Sequence, residues 1–224
     1  MIIFDDVSKV YRIAGGYPVV VLENFSCAFT PGCNVGILGR NGSGKSTLIR
    51  LALGAEPPTS GTIEREGLVS WPLGTSGGFD QRLTARQNLR FIARLYNQDY
   101  REMVDYVESF SAIGPFFDEP LRRCSNGMRA RVNFATSMAI PFDFYLIDEV
   151  IGAGDQPFQE RCSEVLKERR RDTTLLLVSQ SANRLRMFCD VAGVIEDGRV
   201  TFYDTIAEAT EAHEENLKRV EIGR

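Results

Sequence analysis

An α/β fold built on a mostly parallel sheet is what this chain predicts, on three observations. Apolar runs rich in Val, Ile and Leu recur along it, and several show no polar alternation, the mark of strands buried on both faces. Helical patterns fall between those runs, so strand and helix alternate. A glycine-rich stretch, "GRNGSGKST" at 39–47, lies between one such run and a helical pattern.

The expected strands are 17–22 (YPVVVL), 34–39 (NVGILG), 144–148 (FYLID), 174–179 (TLLLVS) and 191–196 (VAGVIE). "TLIRLALG" after the glycine-rich stretch reads as a helix. "TARQNLRFIARLY" opens with a capping-box pattern from Thr84 to Gln87 and carries Leu89, Ile92 and Leu95 at helical spacing. "SNGMRARVNFATSMAIP" places Met128, Val132, Ala135 and Met138 on one stripe, with Pro141 just beyond. "DQPFQERCSEVLKER" begins on Asp155 as a candidate cap. Pro31 and "PPTSG" from Pro57 are turn signals. Segment 76–140 breaks the alternation with successive helices and reads as an inserted helical subdomain. Residues 1–75 and 141–205 form the β subdomain and core, and 206–224 a short charged helical tail. His213, the only histidine, falls in that tail and reads as a solvated surface residue.

Composition narrows the function. The balance of 43 % hydrophobic and 25 % charged residues is that of a globular domain. A net charge of -4 gives no pull toward nucleic acid. The basic run "KERRRD" at 167–172 reads as cations at a helix end. Five cysteines with no C-x-x-C pair argue against both a disulfide framework and a zinc site. The first residues lack a signal-peptide pattern, and no run approaches the roughly 18 apolar residues of a membrane helix. Any work at a membrane is expected to go through a partner.

The stretch 39–47 matches G-x-x-x-x-G-K-[ST] between a strand and a helix. Gly39, Gly42 and Gly44 let backbone N–H groups beside Arg40, Asn41 and Ser43 turn toward phosphates, and the helix N-terminus adds partial positive charge. Lys45 would reach the β/γ-phosphates. Ser46 would ligate Mg²⁺, with Thr47 following. The apolar strand "FDFYLID" then ends in Asp148-Glu149. Asp148 is suited to the magnesium, and Glu149 to the role of general base for an attacking water. Together these features predict hydrolysis of a Mg-nucleotide by phosphoryl transfer to water.

A further motif, "RRCSNGMRARVNFATSMAI" at 122–140, precedes the Asp-Glu pair. Its Ser-x-Gly at a helix start resembles the Leu-Ser-Gly-Gly-Gln signature of ATP-binding-cassette (ABC) ATPases. Cys124, Asn126 and Met128 depart from that form, whereas Ser125 and Gly127 keep it. The resemblance covers nearly the whole chain. Tyr11 in "VSKVY" matches the aromatic that stacks on adenine. "LGAEPPTSGTI", "IGAGD" at 151–155 and "VAGVIEDGRV" match family stretches. In "SWPLGTSGGFDQRLTARQNLRF" at 70–91 the usual loop Gln is missing and Thr75 stands near its place. The "GGF…LT…N" pattern resembles exporters of bacterial surface polysaccharide. O-antigen exporters often carry a long C-terminal domain, and the short tail here resembles the ATPase of capsular exporters.

The resemblance implies a P-loop NTPase with a RecA-like core, an N-terminal antiparallel β subdomain and the helical insertion. It implies two copies closing head to tail on two Mg-ATP, each held by 39–47 of one copy and by Ser125, Asn126, Gly127 and Met128 of the other. Asp155 would face the dimer partner. The homodimer would drive an integral membrane subunit, itself in two copies, from the cytoplasmic face of the bacterial inner membrane, and through it periplasmic or outer-membrane export components. Trp71, Pro72 and Phe79 are candidates for that contact, with core packing the alternative for Trp71. No nucleic acid is expected. In the family, the residue after "LLLVS" is a histidine contacting the γ-phosphate, and Gln180 stands there instead. Glutamine can donate a hydrogen bond but cannot become a cation. Retained ATP binding with slowed hydrolysis is therefore expected, and a natural substitution and an engineered trap would read alike. Two alternatives stay open: an ATP-dependent clamp with little turnover, and an ABC ATPase serving another cargo.

Overall fold

Continuous burial decides the central sheet. Strands β3 (Val35–Leu38), β5 (Phe144–Asp148) and β6 (Thr174–Ser179) bury nearly every side chain, as their unbroken apolar runs require. In the computed structural model, which describes residues 1–12, 15–73, 78–149 and 155–222, they join β7 (Val191–Glu196) and β8 (Arg199–Tyr203) in the order β5-β6-β3-β7-β8. All pairs are parallel except β7 with β8, which are joined by a tight turn at Asp197-Gly198 with φ of 46° and 82°. A second sheet, β2-β1-β4, is antiparallel and is made of β1 (Ile2–Arg12), β2 (Pro18–Phe29) and β4 (Ser60–Arg65). Its β1 alternates enough to place Ile2, Phe4 and Val7 inward, against Phe25 and Phe29 of β2 and against helix α1 (Lys45–Leu53). The Phe4 ring meets Phe25 and Phe29 edge-on at 5.3 and 5.8 Å.

The described chain forms two compact units. The first comprises Met1–Val69, Asp143–Glu149 and Arg169–Arg224 and holds both sheets, α1, α6 (Ala182–Phe188) and α7 (Ile206–Ile222). The parallel pairing sets Leu38 beside Ser179 and Val194, and Asp148 beside Val178. Residues 39, 149 and 180 therefore all leave the sheet at its carboxyl edge. This is the edge where open α/β sheets place their ligands.

The second unit comprises Ser70–Phe142 and Val150–Glu168. It contains α2 (Ala85–Leu95), α3 (Tyr100–Ser111), α4 (Asn126–Met138) and most of α5 (Gln156–Arg169). The capping box on α2 is formed: Gln87 N donates to Thr84 Oγ1 at 3.1 Å and Thr84 N to Gln87 Oε1 at 3.0 Å. Asp99 caps α3 through the N–H groups of Arg101 and Glu102. The expected insertion, 76–140, leaves out α5, whereas here α5 belongs to the helical unit. Phe158 on α5 explains the difference. It meets Phe110 and Phe134 edge-on at 5.7 and 6.3 Å, and Arg161 stacks over Phe110 at 4.3 Å.

The tail departs from expectation. Helix α7 buries Ala209, Thr210 and His213 against the first unit, so His213 is 7 % exposed rather than solvated. Burial, helped by the charge of Lys45, lowers its pKa. The signal is present in the sequence, where Ala209 and His213 are four apart and share one face of a helix. In the basic run, Arg170 pairs with Asp190 at 2.6 Å. Among the described residues all five cysteines are free, and no helix is long and apolar enough to cross a membrane.

Candidate functional site

The glycine-rich loop follows β3 and delivers the first turn of α1. Gly44 is the N-cap of α1, with φ of 105° and no side-chain cap, so the first N–H groups of the helix are left for a ligand. A Cβ on Gly44 would stand 2.6 Å from Val21 Cγ1, and Gly42, at φ 81°, faces open space. Both positions thus require glycine for their backbone conformation, and Gly44 also for packing. Lys45 is 5 % exposed, and its Nζ donates to Gly39 O at 2.8 Å and Arg40 O at 2.9 Å. Ser43 Oγ is buried with no partner. A buried hydroxyl without a partner beside uncapped N–H groups and a buried ammonium is the donor set a polyphosphate needs, so the loop fits ATP. Arg40 reaches out of the loop to Asp197 at 3.1 Å, tying the loop to the β7–β8 turn.

Glu149 lies at the end of β5 with φ of 59°, a left-handed conformation unusual for a residue with a side chain. Its N–H donates to Val178 O at 3.0 Å, which fixes the turn. Its Oε1 lies 3.4 Å from Lys45 Nζ and accepts from Gln180 Nε2 at 3.0 Å. Gln180 Nε2 also donates to Asn41 Oδ1 at 2.7 Å. Gln180 is thus a bridge between the phosphate loop and Glu149. The hydrogen bond from Gln180 is the main cause that holds the Glu149 carboxyl below its ordinary value; burial opposes it and the Lys45 charge assists. Ser46 is exposed at the start of α1, and Asp148 is half-buried at the end of β5. Among the described residues no group of three or more His, Cys, Asp or Glu could hold a metal ion by itself. A hydroxyl and a carboxylate supplemented by phosphate oxygens is the sparse set that Mg²⁺ accepts.

Tyr11, on β1, is half-buried, and its hydroxyl donates to Glu56 Oε2 at 2.7 Å. Nothing in the sequence pattern marks Glu56. It precedes the "PP" turn outside any periodic stretch, and only its proximity in the fold reveals the contact.

The remaining candidates lie in the second unit. Ser125 is the N-cap of α4, and its Oγ accepts from Met128 N at 3.2 Å. The hydroxyl proton stays available to a ligand. Arg129 bonds the side chain of Asn126 and also Cys124 O, bracing the start of the helix from behind. A methyl on Gly127 would meet only Ser125 Oγ, at 3.9 Å, so that turn is open. Asp155 caps α5 through Phe158 N at 3.3 Å and pairs with Arg131 at 2.6 Å while remaining exposed. Trp71 packs with Tyr96 and Phe142 at ring distances of 5.8 and 5.4 Å, which supports a packing role. Thr75 and residues 151–154, singled out in the sequence, lie outside the described residues.

A family model described as "ABC transporter" matches residues 22–152, more than half of the chain. The ATP-binding protein BexA of Haemophilus influenzae is 45 % identical over 97 % of this chain and 100 % of its own length. The capsule polysaccharide export ATP-binding protein CtrD of Neisseria meningitidis is 46 % identical over 94 % of this chain and 97 % of its own. Among solved structures, a dimeric post-hydrolysis state of an ATP-binding cassette bound to ADP and Pi superposes with a TM-score of 0.77. It is 20 % identical and covers 90 % of this chain and 98 % of the other, a likeness of fold.

Proposed function

Because this chain belongs to the ABC transporter family, we propose that it is the ATP-hydrolysing subunit of an exporter moving capsular or related surface polysaccharide across the bacterial inner membrane. The observation that carries the chemistry is the meeting of Lys45, Glu149, Gln180 and Asn41 at the carboxyl edge of the parallel sheet. Export of capsule is supported by relatives that share nearly half their residues with this chain over almost its full length.

In this reading the loop 39–47 binds the phosphates through its N–H groups, Lys45 and the Ser43 hydroxyl. Ser46 and Asp148 would hold Mg²⁺, which supplies charge neutralisation on the phosphate oxygens when bound. Glu149 takes the proton from the attacking water. Its lowered pKa keeps it ionised at neutral pH, ready to accept. Gln180 orients that carboxylate from the side while its other acceptor, Asn41, anchors it to the loop. Tyr11 supplies the surface on which adenine stacks.

Two copies close head to tail, with Ser125, Asn126, Gly127 and Met128 of one facing the nucleotide of the other through the start of α4. Asp155 lies at that junction. The helical unit carries the closure to a separate membrane subunit on the cytoplasmic side. A second reading, a clamp that binds ATP with little turnover, is favoured by Gln180, whose amide cannot become a cation. ATP turnover by the purified chain assembled with its membrane subunit separates the two. Turnover that rises with assembly supports the motor. Tight binding of ATP with no turnover in the same complex supports the clamp.

A further inference from the structure

A cluster of polar side chains around Tyr11 is not used by the chemistry above. It draws on β1, α1 and the turn that follows α1. Glu56 stands at its centre and uses both carboxylate oxygens. Oε1 pairs with Lys9 Nζ at 2.9 Å. Oε2 accepts from the Tyr11 hydroxyl at 2.7 Å and from Arg50 Nε at 3.1 Å. Arg50 Nη2 donates to the Tyr11 hydroxyl at 3.2 Å and to Thr47 Oγ1 at 3.0 Å. Lys9, only 8 % exposed, also donates to Pro57 O at 2.7 Å and lies 5.1 Å over the face of the Tyr11 ring. Hydrogen bonds from Lys9 and then Tyr11 hold the Glu56 carboxyl down to about 2, so it stays ionised in this arrangement at any ordinary pH.

A clasp that served only to join β1 to α1 would need the ion pairs from Glu56 to Lys9 and Arg50 and nothing more. Here the bonds converge instead on the hydroxyl of a ring. The hydroxyl oxygen of a tyrosine lies on the axis of its ring, so bonds at that tip fix where the axis points. The rotation of the ring about that axis is set by what lies against its face. The Lys9 ammonium lies over one ring face, so a base would have to stack on the other. Thr47, bonded to Arg50 within the same group, is the last residue of the phosphate loop. The ring is therefore held in a fixed place relative to the phosphates.

We propose that Glu56 is a positioning residue for the nucleotide base: it fixes Tyr11 by its hydroxyl and holds Lys9 against one ring face, so that the other face is presented to adenine. The inference deepens the reading of Tyr11 as the base platform and rests on it.

The test is calorimetric titration of the full-length chain with ADP and with inorganic tripolyphosphate, which carries the phosphate charge and no base. Variants are Glu56→Gln, Tyr11→Phe, their double, and Tyr11→Ala as the control on the platform. Glu56→Gln and Tyr11→Phe each weaken ADP binding by about 3- to 10-fold, and Tyr11→Ala by about tenfold or more. Tripolyphosphate affinity stays within about twofold in all of them. The double variant loses less than the product of the two single losses, because the bond between Tyr11 and Glu56 is common to both. Tyr11→Ala without effect on ADP would overturn the platform and the inference with it. A strong effect of Tyr11→Ala with none from Glu56→Gln or Tyr11→Phe would leave the platform standing and overturn the role of Glu56. Equal losses for ADP and tripolyphosphate in Glu56→Gln would also overturn it, by showing a general disturbance of the loop. Should Glu56→Gln fail to fold, Glu56→Asp, which keeps the charge but shortens the reach to the Tyr11 hydroxyl, takes its place. Weaker ADP binding with unchanged tripolyphosphate binding then supports the role of Glu56, and ADP binding equal to the parent overturns it.

Discussion

Replacing Gln180 by leucine removes the bridge at the carboxyl edge while keeping a side chain of similar bulk. Two hydrogen bonds are lost, to Asn41 at 2.7 Å and to Glu149 at 3.0 Å. A bond to a carboxylate is worth about 1.5–3 kcal/mol when shielded and a neutral one about 0.5–1.5. Gln180 is exposed and the Glu149 side chain is 35 % exposed, so solvent screening brings each to about 0.5–1 kcal/mol. The sum is about 1–2 kcal/mol, which for a chain of this size lowers the melting temperature by about 2–8 °C. The pH dependence has a definite sign. The Gln180 bond lowers the Glu149 pKa from its ordinary 4.5, so the stabilisation is complete above 4.5 and is lost as pH falls through the folded value. Thermal melts of parent and variant should differ fully at pH 7, and the gap should narrow below 4.5 to the part contributed by the neutral bond to Asn41. Equal melting at pH 7, or a gap that widens on acidification, would refute the bridge.

Other substitutions probe the neighbouring parts. Glu149→Gln keeps an acceptor for Gln180 but loses the base, so turnover by the assembled transporter falls by about 10²–10⁴; a loss under about tenfold would place the base elsewhere. Stability should change by less than about 1 kcal/mol in that variant, since the Lys45 contact is long and partly solvated. Gln180→His restores a group that can become a cation and should raise turnover in the assembled complex. Equal rates for the two would show that this position does not limit hydrolysis. Gly36→Ala would put a methyl 2.4 Å from Leu185 Cγ and 3.0 Å from Cys189 Sγ, prying α6 from the sheet at a cost of about 1–3 kcal/mol in urea unfolding.

What can be read from the sequence is whatever repeats locally. The runs at 144–148 and 174–179 coincide with β5 and β6 because both faces of those strands are buried. The capping box at Thr84 is likewise a matter of spacing along the chain. The phosphate loop is legible because its glycines serve backbone geometry, which a sequence displays directly. What stays hidden depends on contacts across long separations. α5 joins the helical unit through Phe158, and no period in its own sequence says which aromatic it will meet. The charge of its surroundings points His213 to solvent, although Ala209 and Thr210 beside it mark the buried stripe. Glu56, an ordinary acidic residue before a proline turn, becomes the centre of a network only when β1 pairs with β4 and brings Lys9 and Tyr11 to it.

The chemistry of Lys45 shows why those long-range contacts matter for turnover. An ammonium has three protons to donate, and among the described residues the acceptors around this one are Gly39 O at 2.8 Å, Arg40 O at 2.9 Å and Glu149 Oε1 at 3.4 Å. A phosphate oxygen entering the loop competes for the same protons. The two carbonyls belong to the loop itself and keep short bonds, so the exchange falls on the longest contact, the one to Glu149. Among the described residues Gln180 is then the donor that stays on Glu149 Oε1, and the carboxylate can accept from water. On the proposed reading, the arrival of the phosphate is therefore what releases the base from the lysine, and Gln180 is what keeps the released carboxylate in place. The same logic explains how a glutamine can serve here: orientation of Glu149 requires a donor, which an amide supplies, and only the charge of an imidazolium is lost.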